Sequence, residues 1–397
     1  MERSKLSQSK ASPAASKSNA AMTLRYCTRC LEPSSRPGAT FDEEGVCMPC
    51  RYAESLDGIN WETRRKDLQK IADWGRARQS GGYDCLIGVS GGKDSTRQAF
   101  YVRDELGLKP LLVCCSYPPE QAADRGAENL SNLVEHGFDL HYVSPSPETW
   151  KKMMRLSFRE FAQWTRPTEL ALFSSVVRCA TSFKIPLIFL GENPALAFGS
   201  KSGSLDGDAK NIRAYDTLSG ANIEPWLDWG IPKEKLYWYT FPSDHEIERA
   251  ALRLVYLGFY IRDFNDIANG QFALDHGFMP RKGIEADPYE TGSINAFECV
   301  DEDFVHVNQF LKFIKLGFGK VIQQVSVQIR HGEITREEGL KLARAFDGRC
   351  SDRLIENFCQ YLEITTEEFW DVVDKNRNRD LWQLTNQGEW ELRFKPE

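Results

Sequence analysis

Three short runs of consecutive apolar, β-favouring residues punctuate the first half of the chain: Cys85–Val89 (CLIGV), Pro110–Cys115 (PLLVCC) and Pro186–Leu190 (PLIFL). A more mixed run, Asp139–Val143, joins them as a fourth strand candidate. Unbroken apolar runs of this length read as strands buried on both faces, as in parallel sheets. Between them apolar positions recur at helical spacing. Helices are predicted over Trp61–Ala77, where Leu68, Ile71 and Trp74 share a side, and over Asp94–Leu106, Ala122–Gly137, Trp150–Trp164 and Thr168–Lys184. This β-α-β alternation predicts an α/β fold with parallel strands and right-handed crossovers.

The pattern changes past residue 224. Trp226, Trp229, Tyr237, Trp238, Tyr239 and Phe241 crowd a short span, either as a stacking surface for sugars or bases or as inter-domain core. A helix is predicted over Asp244–Leu257 with Ser243 as its N-cap. Asp244, His245, Glu246 and Glu248 then form either an acid–base cluster or a solvated first turn, where acids are favourable. Helical spacing continues through Asp303–Leu316 and Lys320–Arg330, and Thr335/Glu338 and Thr365/Glu368 match the capping box. The expected organisation is a disordered tail at 1–24, a cysteine-rich module at 25–60, an α/β domain at 61–230 and a mostly helical domain at 231–397. No internal repeat is present.

Composition narrows the class. The chain has 397 residues and a formal charge of −7, with a pI near 5.6; no extensive nucleic-acid binding is expected of it. No apolar run approaches the ~20 residues of a membrane span, so no membrane insertion is expected. Met1–Leu24 is rich in Ser, Ala and Lys and lacks the apolar core of a secretory signal. Eleven cysteines without such a signal point to a reducing, cytoplasmic setting. Cys27 and Cys30, then Cys47 and Cys50, form two Cys-x-x-Cys knuckles able to offer four thiolates to one structural zinc, the alternatives being disulfides or free thiols.

The strand at Cys85–Val89 runs into Ser90-Gly91-Gly92-Lys93-Asp94-Ser95, and a helix follows. Glycines let backbone N–H groups approach an oxyanion, the helix end adds partial positive charge, Lys93 brings a mobile full charge, and Ser90 and Ser95 bring hydroxyls. A phosphate chain is the expected ligand. A Walker A loop would need glycine where Ile87 stands. Ligands of open parallel sheets bind beyond the strands' carboxyl ends, which puts Ser116-Tyr117 and Gly191-Glu192-Asn193 on the same rim. Residues Phe198–Asn211, rich in Gly and polar side chains, are read either as a lid or as a solvated insertion.

Ser-Gly-Gly-x-Asp-Ser after a strand resembles the PP-loop of the ATP pyrophosphatase superfamily. With YCTRCLEPSSRPGATFDEEGVCMPC, FLGENPALAFG, FLKFIKLGFGK and IRHGEITREEGLKLARAFDG, the chain resembles the N-acetyl sugar amidotransferases of bacterial surface-glycan and lipopolysaccharide biosynthesis, which make acetamidino sugars such as derivatives of pseudaminic acid. That resemblance implies a PP-loop (adenine nucleotide alpha hydrolase-like) domain, an N-terminal zinc ribbon and a helical C-terminal domain. It also implies the cofactors ATP and Mg2+, beside structural Zn2+. An acetamido oxygen would attack the ATP α-phosphate, and ammonia from a separate class I glutaminase subunit would displace AMP. By the same resemblance Ser90, Gly91, Gly92, Lys93 and Ser95 hold pyrophosphate, Asp94 helps bind magnesium, and Gly191, Glu192 and Asn193 face the adenylate or the substrate amide, with Lys93, Asp94 and Glu192 closest to the chemistry. Lys320-Val321-Ile322-Gln323 departs from the family's usual Arg-Ala-Thr-Asp-like run. The competing reading is a PP-loop tRNA thiolase, which needs a reactive cysteine near the loop.

Overall fold

The computed structural model describes residues 24–191, 193–199, 204–214 and 218–397. Most of the expected tail, and Glu192, lie outside them; Leu24, assigned to that tail, is buried. At the centre is a five-stranded, all-parallel sheet: β1 (Cys85–Gly88), β2 (Pro110–Cys115), β3 (Asp139–Val143), β4 (Leu187–Leu190) and β5 (Arg253–Tyr256), in spatial order β3-β2-β1-β4-β5. Alternate side chains leave opposite faces. Leu86, Leu111 and Val113 join the core under helices Pro147–Phe161 and Thr165–Phe183. Cys85, Ile87 and Leu112 join the other, with Leu68 and Ile71 of Trp61–Arg76 and Leu130 and Leu133 of Asp124–Glu135. The apolar runs are continuous because both faces are covered.

β5 corrects the sequence reading. The helix expected over Asp244–Leu257 ends at Arg249. Ala251 turns left-handed at φ 48°, and Arg253–Tyr256 pairs in register with Leu187–Leu190. Leu252 to Leu257 carries enough β-favouring residues for either conformation, and the open edge of β4 decides. The sheet therefore extends past the expected boundary at 230. The apolar core likewise runs unbroken into the C-terminal helices Phe304–Leu316, Asp352–Leu362 and Thr366–Asn376. Phe158 stacks on Phe369 at 5.4 Å and meets Phe358 edge-on. Trp226, Tyr239 and Phe241 of the aromatic span are buried core, whereas Tyr237 is half exposed. Asp244 and Glu246 are an exposed first turn closed by a Ser243/Glu246 capping box.

The chain leaves β1 toward β2 and β3, then returns to β4 on the other side of β1. The β1/β4 crevice is thus the topological switch point, where open α/β sheets take their ligands. One contact stack fixes its rim. Gly91, at φ +80°, lies against Gly126 of the Asp124–Glu135 helix; a Cβ on Gly91 would come within 2.7 Å of the Gly126 carbonyl oxygen. A Cβ on Gly126 would come within 2.7 Å of the Asp301 Cα. Loop, helix and C-terminal segment are in backbone contact with no room for a side chain. Gly126→Val should therefore cost about 1–3 kcal/mol through overpacking. A denaturant midpoint left unmoved would refute this packing account.

Candidate active site around Lys93

The helix Lys93–Phe100 begins directly after the loop, with Gly92 as its N-cap. Ser95 Oγ and Thr96 Oγ1 both donate to the Gly92 carbonyl at 3.0 Å. Lys93 is 6 % exposed; its Nζ lies 2.8 Å from Asp94 Oδ2 and 3.1 Å from Asp266 Oδ1. The expected mobile charge is instead a pinned one. Burial works against the ammonium, but the Asp266 and Asp94 carboxylates outweigh it and hold its pKa well above the ordinary lysine value. Burial also opposes ionisation of Asp266, yet Lys93 and Lys320 pull its pKa down to about 2. Asn269 Nδ2 donates to Asp94 Oδ1 at 2.8 Å, and Lys320 is ion-paired with Glu298. Three ion-paired carboxylates (Asp94, Asp266, Glu298) face two ammoniums (Lys93, Lys320), and Asp301 adds a fourth acidic group, so acids outnumber bases around the loop.

Two cavities meet along Ser90, Gly92 and Asp94. The first, of about 360 Å³, lies beyond the strand ends; Gly88, Ser95, Gln98 and Gly191 border it above an apolar floor of Val113, Val176 and Phe189. A Cβ on Gly191 would meet Gln98 Nε2 at 2.9 Å, so a larger residue there would displace the Gln98 amide. The second, of about 260 Å³, is enclosed by Lys93, Asp266, Glu298, Asp301, Lys320 and Gln323. Asp301 is hydrogen-bonded to Ser90; burial raises its pKa. Glu298 is 4 % exposed, and its Oε1 has no hydrogen-bond partner among the described residues. A buried orphan acceptor at a cavity wall marks a place where a ligand donor or water belongs.

The loop residues Ser90 to Ser95 and Gly191 thus come together at one rim. Asn193 does not face the loop. Its Oδ1 accepts from Ala195 N–H, and its Nδ2 donates to the Ser204 and Asp206 carbonyls at 2.9 and 2.7 Å. It caps the short helix Pro194–Phe198 and anchors residues 204–206, so the amide expected to bind substrate is committed within the chain. Ala209 N–H donates to Leu254 O, and Tyr256 N–H to Gly207 O, so the later half of the Phe198–Asn211 stretch is pinned to β5. Asp266, Asn269, Glu298 and Asp301 escaped the sequence reading. The Glu298–Asp303 acidic run was the available signal, but only tertiary contact gives it a role.

The cysteine module borders the same region. Cys27 and Cys50 Sγ atoms are 3.9 Å apart, and Cys30 and Cys47 are 3.6 Å apart. All four sulfurs lie within 4.8 Å of one another. Tetrahedral Zn–S bonds of ~2.3 Å demand sulfur separations near 3.8 Å, so the set suits a four-thiolate zinc. Backbone N–H groups of Arg29 and Cys47 donate to Cys27 Sγ, that of Glu32 to Cys30 Sγ, and Arg330 Nη1 lies 3.7 Å from Cys30 Sγ. Leu31 N–H donates to Ser326 Oγ. Arg330 and Ser326 belong to the helix Lys320–Arg330, which carries Lys320 and Gln323 into the second cavity.

Residues 291–395 match the family described as "LPS biosynthesis protein WbpG-like, C-terminal domain". Lys320 and Gln323 fall inside that match. A curated relative, the uncharacterized protein MJ1599 of Methanocaldococcus jannaschii, is 24% identical over 111 residues; the alignment spans 28% of this chain and 39% of that protein. Among solved structures, the NMN synthetase of Francisella tularensis gives 17% identity over 50% of this chain and 80% of that one, with a TM-score of 0.26. The NH3-dependent NAD synthetase of Campylobacter jejuni gives 13% identity over 57% and 100%, with a TM-score of 0.27. Superposition that loose carries no argument. No described helix is long and apolar enough to cross a membrane. The chain's C-terminal quarter is therefore similar to a domain of lipopolysaccharide biosynthesis proteins, joined to a parallel α/β sheet whose switch point carries the Lys93 loop.

The metal prediction follows from the Ser326 and Arg330 contacts. Freshly purified, reduced protein should contain about one zinc per chain. Stripping it should weaken binding in the cavity beside Lys320 more than binding in the cavity beyond the strand ends, measured by titration before and after chelation. Equal loss of both would show that the Lys320–Arg330 helix does not transmit the module's state to the cavity it lines.

Proposed function

We propose that this chain is an ATP-dependent, AMP-forming amidotransferase of lipopolysaccharide or related surface-glycan biosynthesis, acting on an N-acetylated sugar. The observation that carries this reading is the pair of cavities sharing the Ser90–Asp94 loop as a wall. One has the position and size of a nucleotide site. The other is bordered by polar residues of the segment that matches the lipopolysaccharide-biosynthesis domain. In this reading ATP lies over Gly191 with its phosphates on Ser90, Gly91, Gly92 and Ser95, and the sugar faces Lys320, Gln323 and Glu298.

The reaction accounts for the charges. The acetamido oxygen attacks the α-phosphorus, and the bond to the β-phosphate bridging oxygen breaks, releasing pyrophosphate. Lys93 is set to meet charge developing on the transferred phosphate. The net negative surroundings of Lys93 favour a divalent cation accompanying the phosphates, with Asp94 as its protein ligand and Mg2+ as the hard, oxygen-seeking candidate. Ammonia then forms the C–N bond. The C–O bond breaks with its electron pair on AMP, one ammonia proton passes to a leaving phosphate oxygen, and the sugar departs as its amidinium. A separate glutaminase subunit is the proposed ammonia source, and Glu192 remains a proposed contact of the adenylate.

The tRNA thiolase reading has two cysteines in its favour, because Cys299 borders the second cavity and Cys115 the first. Burial pushes the Cys299 thiol up to about 11 and keeps Cys114 and Cys115 at about 12, so these are protonated groups rather than ready nucleophiles.

Pyrophosphate release from ATP should appear with ammonium and an acetamido sugar from a panel, accompanied by an amidine product, and should be absent with unmodified tRNA. Sulfur incorporation into tRNA would overturn the reading. Lys93→Ala should abolish release while leaving the unfolding transition cooperative; turnover at the parent rate would remove the loop from the mechanism.

A further inference from the structure

The helices Phe304–Leu316 and Lys320–Arg330 are joined by Gly317-Phe318-Gly319. Asp347 fixes the joint, its carboxylate accepting the N–H groups of Gly319 at 2.7 Å and Ile322 at 3.0 Å. Across the joint, Lys312 Nζ donates to Gln323 Oε1 and lies 4.8 Å from the centre of the Phe318 ring. Among the described residues no carboxylate forms an ion pair with Lys312. Burial and the neighbouring cations Arg36 and Lys320 hold its pKa well below the ordinary lysine value, with Asp347 and Glu32 pulling the other way. An ammonium without a carboxylate partner is destabilising in such surroundings. A methionine of similar length would pack on Phe318 without that penalty. What the lysine supplies and a methionine would not is the hydrogen bond to Gln323.

That bond decides which way Gln323 is turned. A lysine nitrogen donates, and of the two ends of a primary amide only the oxygen accepts. Oε1 is therefore turned to Lys312. Nε2 has no hydrogen-bond partner among the described residues, and it is the end left for the cavity that Gln323 borders with Lys320 and Glu298. Lys320, one turn earlier on the same helix, is committed to Glu298, and Lys93 to Asp94 and Asp266. Gln323 thus brings to this wall donors that no carboxylate already engages.

We propose that Gln323 donates to an oxygen of the acceptor sugar, and that Lys312 is the positioning residue that keeps its amide N–H groups turned to the cavity. The proposal rests on the amidotransferase reading. It adds a determinant of which acceptor is held, one that presents an oxygen at Gln323. Lys312 borders neither the nucleotide cavity nor the Lys320 cavity, so it acts through Gln323. A donor that holds the sugar away from the reacting amide binds ground state and transition state alike, and its loss shows in KM rather than in kcat.

A double-mutant cycle in the full-length, zinc-loaded chain tests this, read by pyrophosphate release with the acetamido sugar that supports it. Gln323→Leu should raise the KM for the sugar about tenfold, with kcat and the KM for ATP within about twofold of the parent. Lys312→Met should raise the sugar KM about three- to fivefold. Its unfolding midpoint should hold or rise, because the change removes a cation that burial opposes. The double variant should be no worse than Gln323→Leu alone. Lys312→Leu is read in parallel, with unfolding midpoint and zinc content identifying a misfolded replacement. If neither replacement of Lys312 folds, the lysine is structural and the positioning role falls. An unchanged sugar KM in Gln323→Leu removes the contact. An unchanged sugar KM in a folded Lys312 variant, or an effect that adds in full to that of Gln323→Leu, removes the positioning role. Absence of sugar-dependent pyrophosphate release in the unsubstituted chain would instead overturn the amidotransferase reading beneath both.

Discussion

A lysine ammonium taken out of water must be compensated where it stands, and Lys93 is compensated by Asp94 and Asp266 at 2.8 and 3.1 Å. Asp94 is its neighbour in sequence, but Asp266 arrives from 173 residues further on, at the start of another helix. Breaking such a pair strands a buried charge at a cost of about 3–5 kcal/mol, so the two segments are held together by more than apolar contact. Glu298 and Lys320 extend the arrangement as a second ion pair. The charged cavity beside the loop exists only because all these segments meet.

Two supports keep that meeting in place. Gly91, Gly126 and Asp301 are packed so closely that neither glycine has space for a Cβ, which sets the distance between the loop and the C-terminal segment. The cysteine module holds the opposite side through Ser326 and Arg330. Its own buried cluster is little more than four cysteines and Val46, so a metal would supply most of its folding free energy. Placed against the Lys320–Arg330 helix, the module braces a wall of the second cavity.

Neighbouring residues in sequence were enough to locate the strands at Cys85, Pro110, Asp139 and Pro186, the four cysteines, and the Ser90–Ser95 loop. Each of these depends on periodicity or on spacing within a few residues. β5 was misread because Leu252–Leu257 suits either conformation locally. Nothing near Asn193 in sequence reveals that the Ser204 and Asp206 carbonyls would engage its amide.

What the sequence determined by itself is a glycine-rich, lysine-bearing loop at the end of a parallel strand and a cysteine set with metal-ligand spacing. The tertiary structure decided the rest of the site. It turned Lys93 from a free charge into a buried, doubly paired one, brought Asp266, Glu298, Asp301 and Lys320 to the loop, and gave β4 its outer neighbour. Those outcomes depend on contacts between residues up to two hundred positions or more apart. Whether a charge there is stabilising or ruinous depends on which partner reaches it once the apolar faces have closed.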